Sequence, residues 1–167
     1  MSLTPSEIAD LVAQYAAGPD ILQSALARVP AAAMQWRPAE AEWSVHEIVV
    51  HCADSETASA HRLRVLIAEA NPVIVGYDQA AWANLLDYHA RPIDVALDAV
   101  VAARASTAEF VRSLPPEAWG RSGRHTESGH YTAEDWLRIY ATHLHDHADQ
   151  IASNVATWPG NSLAKAF

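Results

Sequence analysis

Apolar residues recur every three or four positions along most of this chain, a spacing that predicts amphipathic helices. The first apolar stripe covers residues 4–17, and Thr4 or Ser6 can cap its start. Gly18-Pro19 interrupts the stripe, which resumes over residues 20–29. Because proline removes a backbone donor, this segment predicts either one kinked helix or two short ones.

Helix-start signals open the other long elements. Ser44 and Glu47 fit a capping box, in which each side chain bonds the other residue's backbone N–H. Thr132 and Asp135 give a weaker signal of the same kind. Pro92 suits the first position of a helix that the proline pair at 115–116 would end. Long helices are therefore predicted over residues 4–29, 44–69, 92–114 and 132–156.

Two of the predicted connections are long. Residues 71–91 contain a short helical pattern at 79–88, and residues 120–131 form a loop rich in glycine, serine and histidine. No stretch alternates convincingly as a strand, and no segment repeats. The pattern predicts an all-α, antiparallel-type four-helix bundle with at least one long connection, as a single domain over residues 1–167.

Composition and charge narrow the functional class. The chain has 167 residues, half of them hydrophobic, so its core needs neither a disulfide nor a structural metal. A net charge of −9 disfavours binding to nucleic-acid phosphates. There is one cysteine, no apolar run of membrane-spanning length and no signal-peptide pattern. We therefore expect a cytoplasmic protein that binds neither nucleic acid nor membrane.

The candidate chemistry begins with His143 and His147. Four residues apart on a helix, they lie about 40° apart on one face and can offer two imidazoles to one metal ion. His145 is about 200° away from His143 and should face elsewhere. The alternative is that both are partly buried histidines bonded to carbonyl groups.

His51 is the candidate third ligand. It lies on the second predicted helix, on a face of small and polar residues that suits a pocket. Two histidines from one helix and one from another give a three-nitrogen face with open positions, as in catalytic rather than structural zinc sites. Such a donor set suits Zn²⁺, Ni²⁺ or Fe²⁺. Because the ligands must be neutral, metal is expected to leave as the pH falls through about 6 to 6.5.

Residues near this set have less specific roles. Glu47 is a candidate for a bond to a ligand or for a fourth ligand, although the capping box already explains it, and Gln150 can reach the site from one turn after His147. Cys52 is expected to be a buried thiol. Arg62 and Arg64 are solvated or paired, or one of them meets an anionic substrate.

More familiar catalytic patterns are missing. No His-Glu-x-x-His motif supports a zinc protease, and Glu-x-x-His occurs only in the predicted loop, at residues 127–130. The Gly-x-Ser-x-Gly motif and a glycine-rich phosphate loop are also missing.

Residues 43–56 and the run His143-x-x-x-His147-x-x-Gln150-Ile151 carry a family resemblance, supported by residues 77–82 and 129–135. On these segments, the chain resembles the DinB-like (YfiT-like) superfamily of metal-binding four-helix bundles. The resemblance covers nearly the whole chain. The resemblance implies an up-down-down-up bundle with long connections. It also implies that His51, His143 and His147 bind one divalent metal.

The resemblance leaves the reaction open. Members of that superfamily include S-transferases and isomerases that use a low-molecular-weight thiol, and proteins described as metal-dependent hydrolases; many are homodimers. We therefore expect a metal-dependent enzyme, either a thiol S-transferase or a hydrolase, acting on a small electrophilic substrate. The alternative is a non-catalytic stress-response protein that binds metal or a small ligand.

Overall fold

In the computed structural model, which describes residues 2–161, the first apolar stripe forms one continuous helix, α1 (Pro5–Leu26). Pro19 lies inside it and cannot donate to the carbonyl of Tyr15, four residues earlier. Nη1 of Arg104, from another helix, donates to that carbonyl at 2.8 Å. The helix therefore continues through the proline because a buried side chain replaces the missing hydrogen bond.

Both predicted capping boxes form. Ser44 and Glu47 start α2 (Val45–Ala68), and Thr132 and Asp135 start the last helix. Pro92 is the N-cap of the third long helix, one position before the first helical residue. The other helices are α3 (Gln79–Leu85), α4 (Ile93–Arg112) and α5 (Ala133–Thr157), with 3₁₀ turns at Ala31–Ala33, Tyr88–Ala90 and Pro116–Gly120.

A small three-stranded sheet corrects the expectation of no strands. Its strands are β1 (Val73–Ile74), β2 (Ser122–His125) and β3 (Gly129–Thr132). β2 and β3 form an antiparallel hairpin, and β1 pairs in parallel with β2. The strands are only two to four residues long, and β1 pairs with a segment about 50 residues away, so no local alternation could reveal them.

Contacts between α2 and α5 give their relative direction. Trp136, near the start of α5, donates to the backbone carbonyl of Ser59 at 3.1 Å. Asn154, near the end of α5, donates to the carbonyl of Trp43, just before α2 begins. The two helices are therefore antiparallel.

Two other pairs, α2 with α4 and α1 with α5, run parallel. Arg91, just before α4, bonds Asp54, and Arg64 later in α2 bonds Thr107 later in α4. The backbone N–H of Leu3, before α1, donates to Glu134 in the first turn of α5.

Helix α1 packs on α4 and α5, and α2 packs on the same two helices. With these directions, the bundle is the up-down-down-up type that the resemblance implied. Among residues 2–161, no helix is long and apolar enough to cross a membrane. The predicted domain of residues 1–167 includes residues 1 and 162–167, which lie outside the described part.

Gly18 lies where α1 meets α5 closely. A Cβ atom there would lie 3.1 Å from Leu144 and 3.3 Å from Arg104 Nη1. Both contacts are tighter than ordinary van der Waals distance, so a larger residue would push one of these side chains aside by a few tenths of an ångström. This approach also brings Tyr15 within reach of Arg104.

Candidate metal centre

Three histidines meet between α2 and α5. His51 comes from α2, and His143 and His147 come from successive turns of α5. Each offers one ring nitrogen, and the three atoms lie within 4.8 Å of one another. The ring centroid of His51 lies 5.6 Å from the ring centroid of His143 and 4.9 Å from that of His147. One small cation could contact all three nitrogens.

Hydrogen bonds orient the two histidines of α5. His143 Nδ1 lies 2.8 Å from Oε1 of Glu56, and His147 Nδ1 lies 2.9 Å from Oε1 of Gln150. Both oxygens accept, so each ring carries its proton on Nδ1 and leaves Nε2 unprotonated. Acceptors of this kind fix the tautomer of metal-ligating histidines in proteins.

His51 shows that a metal ion fits the site. Its side chain is buried under the Trp43 ring, whose centroid lies 4.7 Å away. Its Nδ1 is buried and has no hydrogen-bond partner within residues 2–161. A buried polar atom without a partner is costly. A cation bound among the three imidazoles would give the buried His51 ring a polar partner, and this set of nitrogen donors suits a divalent transition metal.

Burial also keeps two of the rings neutral. It lowers the pKa of His51 to about 3, with a further contribution from His147 and His143. It lowers the pKa of His147 to about 4, again with His143 contributing. Protons therefore compete with a metal for these two rings at a lower pH than the range of 6 to 6.5 expected from ordinary histidines.

A buried ion pair behind His143 was missed by the sequence reasoning. Glu56 is fully buried and accepts hydrogen bonds from Nε and Nη2 of Arg104 at 2.6 and 2.7 Å. Burial alone would raise the pKa of Glu56, but the bonds from His143 and Arg104 hold it below its ordinary value. Glu56 is therefore an anion that orients His143. The signal available in the sequence was a charged residue flanked by small residues on each of the two helices, Glu56 on α2 and Arg104 on α4.

Glu47 lies elsewhere. Its carboxylate caps α2 through Ser44, accepts from Arg37 Nε at 2.9 Å, and lies 3.2 Å from His89 Nε2. None of these partners belongs to the histidine cluster. Within the described part of the chain, no cysteine, aspartate, glutamate or further histidine joins the three rings.

His145 and Cys52 lie outside the histidine cluster. His145 Nε2 lies 3.1 Å from the backbone carbonyl of Gln14, so this ring faces α1, as the helix geometry predicted. Cys52 is fully buried, and burial raises the pKa of its thiol well above the ordinary value. The cysteine is therefore a core thiol.

Comparison with known proteins agrees with this geometry. Residues 14–151 match the family model of the DinB superfamily. A relative from Oceanobacillus iheyensis, named a "Putative metal-dependent hydrolase", is 36% identical over 111 residues, covering 66% of this chain and 64% of that protein. A relative from Halalkalibacterium halodurans with the same description is 26% identical over 112 residues, or 67% of this chain and 65% of that protein.

A solved structure shows the same fold. YfiT from Bacillus subtilis, described as "a probable metal-dependent hydrolase with an unusual four-helix bundle topology", superposes with a TM-score of 0.85 at 23% identity. The match covers 92% of this chain and 88% of that one. The chain spans less than two thirds of the length of the curated relatives it matches. The extent of the family match establishes that this chain belongs to the DinB superfamily.

Proposed function

We propose that the chain is a metal-dependent enzyme that holds one divalent ion through His51, His143 and His147 and acts on a small electrophilic substrate. The observation that supports this best is the meeting of three imidazoles with no fourth protein ligand among residues 2–161. Structural zinc sites usually have four protein ligands, whereas catalytic sites keep a position for water or substrate. The His143 side chain is 16% exposed, so one edge of the cluster reaches the protein surface.

Each surrounding residue has a defined task in this proposal. Glu56 and Gln150 hold protons on Nδ1 of His143 and His147, so that both Nε2 atoms face the ion. Arg104 keeps Glu56 charged inside the core. The Trp43 ring packs against His51 and limits its contact with water. A bound divalent ion would lower the pKa of a water or thiol and polarise a substrate group.

Hydrolysis and thiol S-transfer both use this arrangement, because both need an activated nucleophile beside a polarised electrophile. The description of the relatives as metal-dependent hydrolases supports hydrolysis first. Zn²⁺ and Ni²⁺ are the preferred ions, with Fe²⁺ as a third, since all three accept imidazole ligands.

The test uses purified protein reconstituted with each ion. Ester hydrolysis is followed with p-nitrophenyl acetate, and S-transfer is followed with 2-mercaptoethanol and an alkyl halide. The proposal predicts turnover that needs the metal, is lost in His51→Ala and is kept in His145→Ala. Metal-loaded protein that binds the thiol without turnover of any substrate would favour the non-catalytic alternative. Equal rates in the two variants would overturn the proposal.

A further inference from the structure

Arg62, on the same helix as His51, is a positively charged group near the histidine cluster. Arg62 follows Ser55 by seven residues on α2, two turns later and about 10 Å along the helix axis. Ser55 Oγ lies 3.4 Å from His143 Nε2, so Ser55 marks the level of the cluster. Arg62 therefore lies on the same side of α2, because residues seven apart share a helix face.

Tyr77 connects the two positions. Its ring lies under the Arg62 guanidinium, with the carbon of that group 5.2 Å from the ring centroid. Burial raises the pKa of Tyr77, and a hydrogen-bonding contact with Ser55 opposes this rise. The tyrosine thus reaches from Arg62 to the edge of the histidine cluster. Its ring also stacks on Trp82, with centroids 4.1 Å apart, which fixes its position.

The guanidinium of Arg62 is held in place but has no anionic partner. Nη2 donates to the backbone carbonyl of Val75 at 2.6 Å, and no carboxylate lies within 4.0 Å among residues 2–161. All three carboxylates of α2 have their own arginine; the pairs are Glu47–Arg37, Asp54–Arg91 and Glu56–Arg104. The charge of Arg62 is therefore available to a ligand.

A cavity beside Arg62 provides the space. It has a volume of about 290 Å³ and is lined by Arg62, Tyr77, Trp82 and the β1 segment, among others. Tyr131 lies near Arg62 but outside the lining of this cavity: burial raises its pKa, and the nearby charge of Arg62 opposes this. No residue in the described part of the chain hydrogen-bonds the Tyr131 hydroxyl. The region combines a fixed cation, phenolic donors and apolar walls, which is the composition of a small-molecule site.

We propose that Arg62 anchors a carboxylate of the substrate in this cavity, while the reacting end of the same molecule lies at the histidine cluster. The substrate class is thus a small organic acid whose carboxylate and electrophilic group are on the order of 10 Å apart, as the helical rise from Ser55 to Arg62 indicates. An arginine that is already immobilised loses little freedom on binding, and its planar fork suits a carboxylate. This inference rests on the proposed metal site.

The experiment uses the Co²⁺-loaded full chain and two thiol probes of equal length, 6-mercaptohexanoate and 6-mercapto-1-hexanol. Thiolate binding to Co²⁺ gives a charge-transfer absorption band, so affinity is measured without turnover. We expect the carboxylate probe to bind about tenfold more tightly than the alcohol, as one charge-assisted hydrogen bond allows. In Arg62→Gln this preference should disappear, while the affinity for the alcohol and the metal content stay unchanged.

Arg64→Gln is the matched control. The Arg64 guanidinium bonds Ser106 and Thr107 and lies against α4. This variant should keep the preference for the carboxylate probe. A carboxylate preference that is absent from the wild type, or that survives in Arg62→Gln, overturns the inference. Absence of the charge-transfer band with both probes contradicts the metal site itself, so the two failures are distinguishable.

Discussion

The metal-free protein should lose stability as the pH falls from 7.5 to 5.5, and His51 and His147 should account for a defined share of the loss. In the unfolded chain each histidine titrates near its ordinary pKa of 6.5. In the folded protein burial lowers the pKa values to about 3 and about 4, so both rings stay neutral over this interval. The unfolded state binds more protons, and stability must therefore decrease as the pH falls.

The magnitude follows from proton uptake by the unfolded chain. Between pH 7.5 and 5.5, one histidine with a pKa of 6.5 stabilises the unfolded state by about 1.4 kcal/mol. The two rings together remove about 2.7 kcal/mol of folding free energy. The stability that they contribute is complete well above pH 6.5 and is lost progressively as the pH falls towards the folded-state pKa values.

Urea unfolding of chelator-treated protein, followed by circular dichroism at both pH values, measures this loss. Asparagine does not titrate, so His51→Asn/His147→Asn should show a loss smaller than that of the wild type by about 2.7 kcal/mol. The other histidines contribute equally to the pH-dependent loss of stability in both proteins, so their contributions cancel in the comparison. His61→Asn, an exposed position on α2, is the control and should behave as the wild type. A double variant with the full wild-type loss would refute the reasoning.

Two further substitutions test the groups behind the ligands. Gln150→Ala removes the acceptor of His147 Nδ1 and should weaken Zn²⁺ binding about 10- to 100-fold. Competition with a chromophoric chelator measures this affinity. Asp149→Ala, at an exposed position, is the control and should leave the affinity unchanged. Arg104→Met leaves Glu56 buried without its main partner and should lower the free energy of unfolding by about 3 to 5 kcal/mol. A loss under about 1 kcal/mol in urea unfolding at pH 7.5 would contradict the charged state of Glu56.

The helices could be predicted because their signals are local. The capping boxes at Ser44 and Thr132 and the apolar stripes identify α2 and α5 within a few residues. These two elements carry all three histidines, so the helix geometry alone separates His145 from its neighbours. The convergence of His51 with the pair on α5 needed the order of helices in the bundle, which the family resemblance supplied and the structure shows.

The features that were missed depend on distant contacts. Whether Pro19 breaks α1 depends on Arg104, which lies 85 residues later in the chain and bonds the free carbonyl. The carboxylate that orients His143 is Glu56, whereas the sequence named Glu47 as the candidate, and Glu47 caps α2 instead. A side chain's partner across a helix interface is set by the packing of the whole bundle, which sequence spacing within one helix does not reveal.

Metal content of single variants tests the central claim most directly. His51→Ala, His143→Ala, His147→Ala and the control His145→Ala would be loaded with Zn²⁺, desalted and measured by elemental analysis. We predict stoichiometric zinc in the wild type and in His145→Ala, because the His145 ring faces α1. The other three variants should contain almost none, since each loses one of three ligands. Full zinc content in any of those three would contradict the assignment of the site.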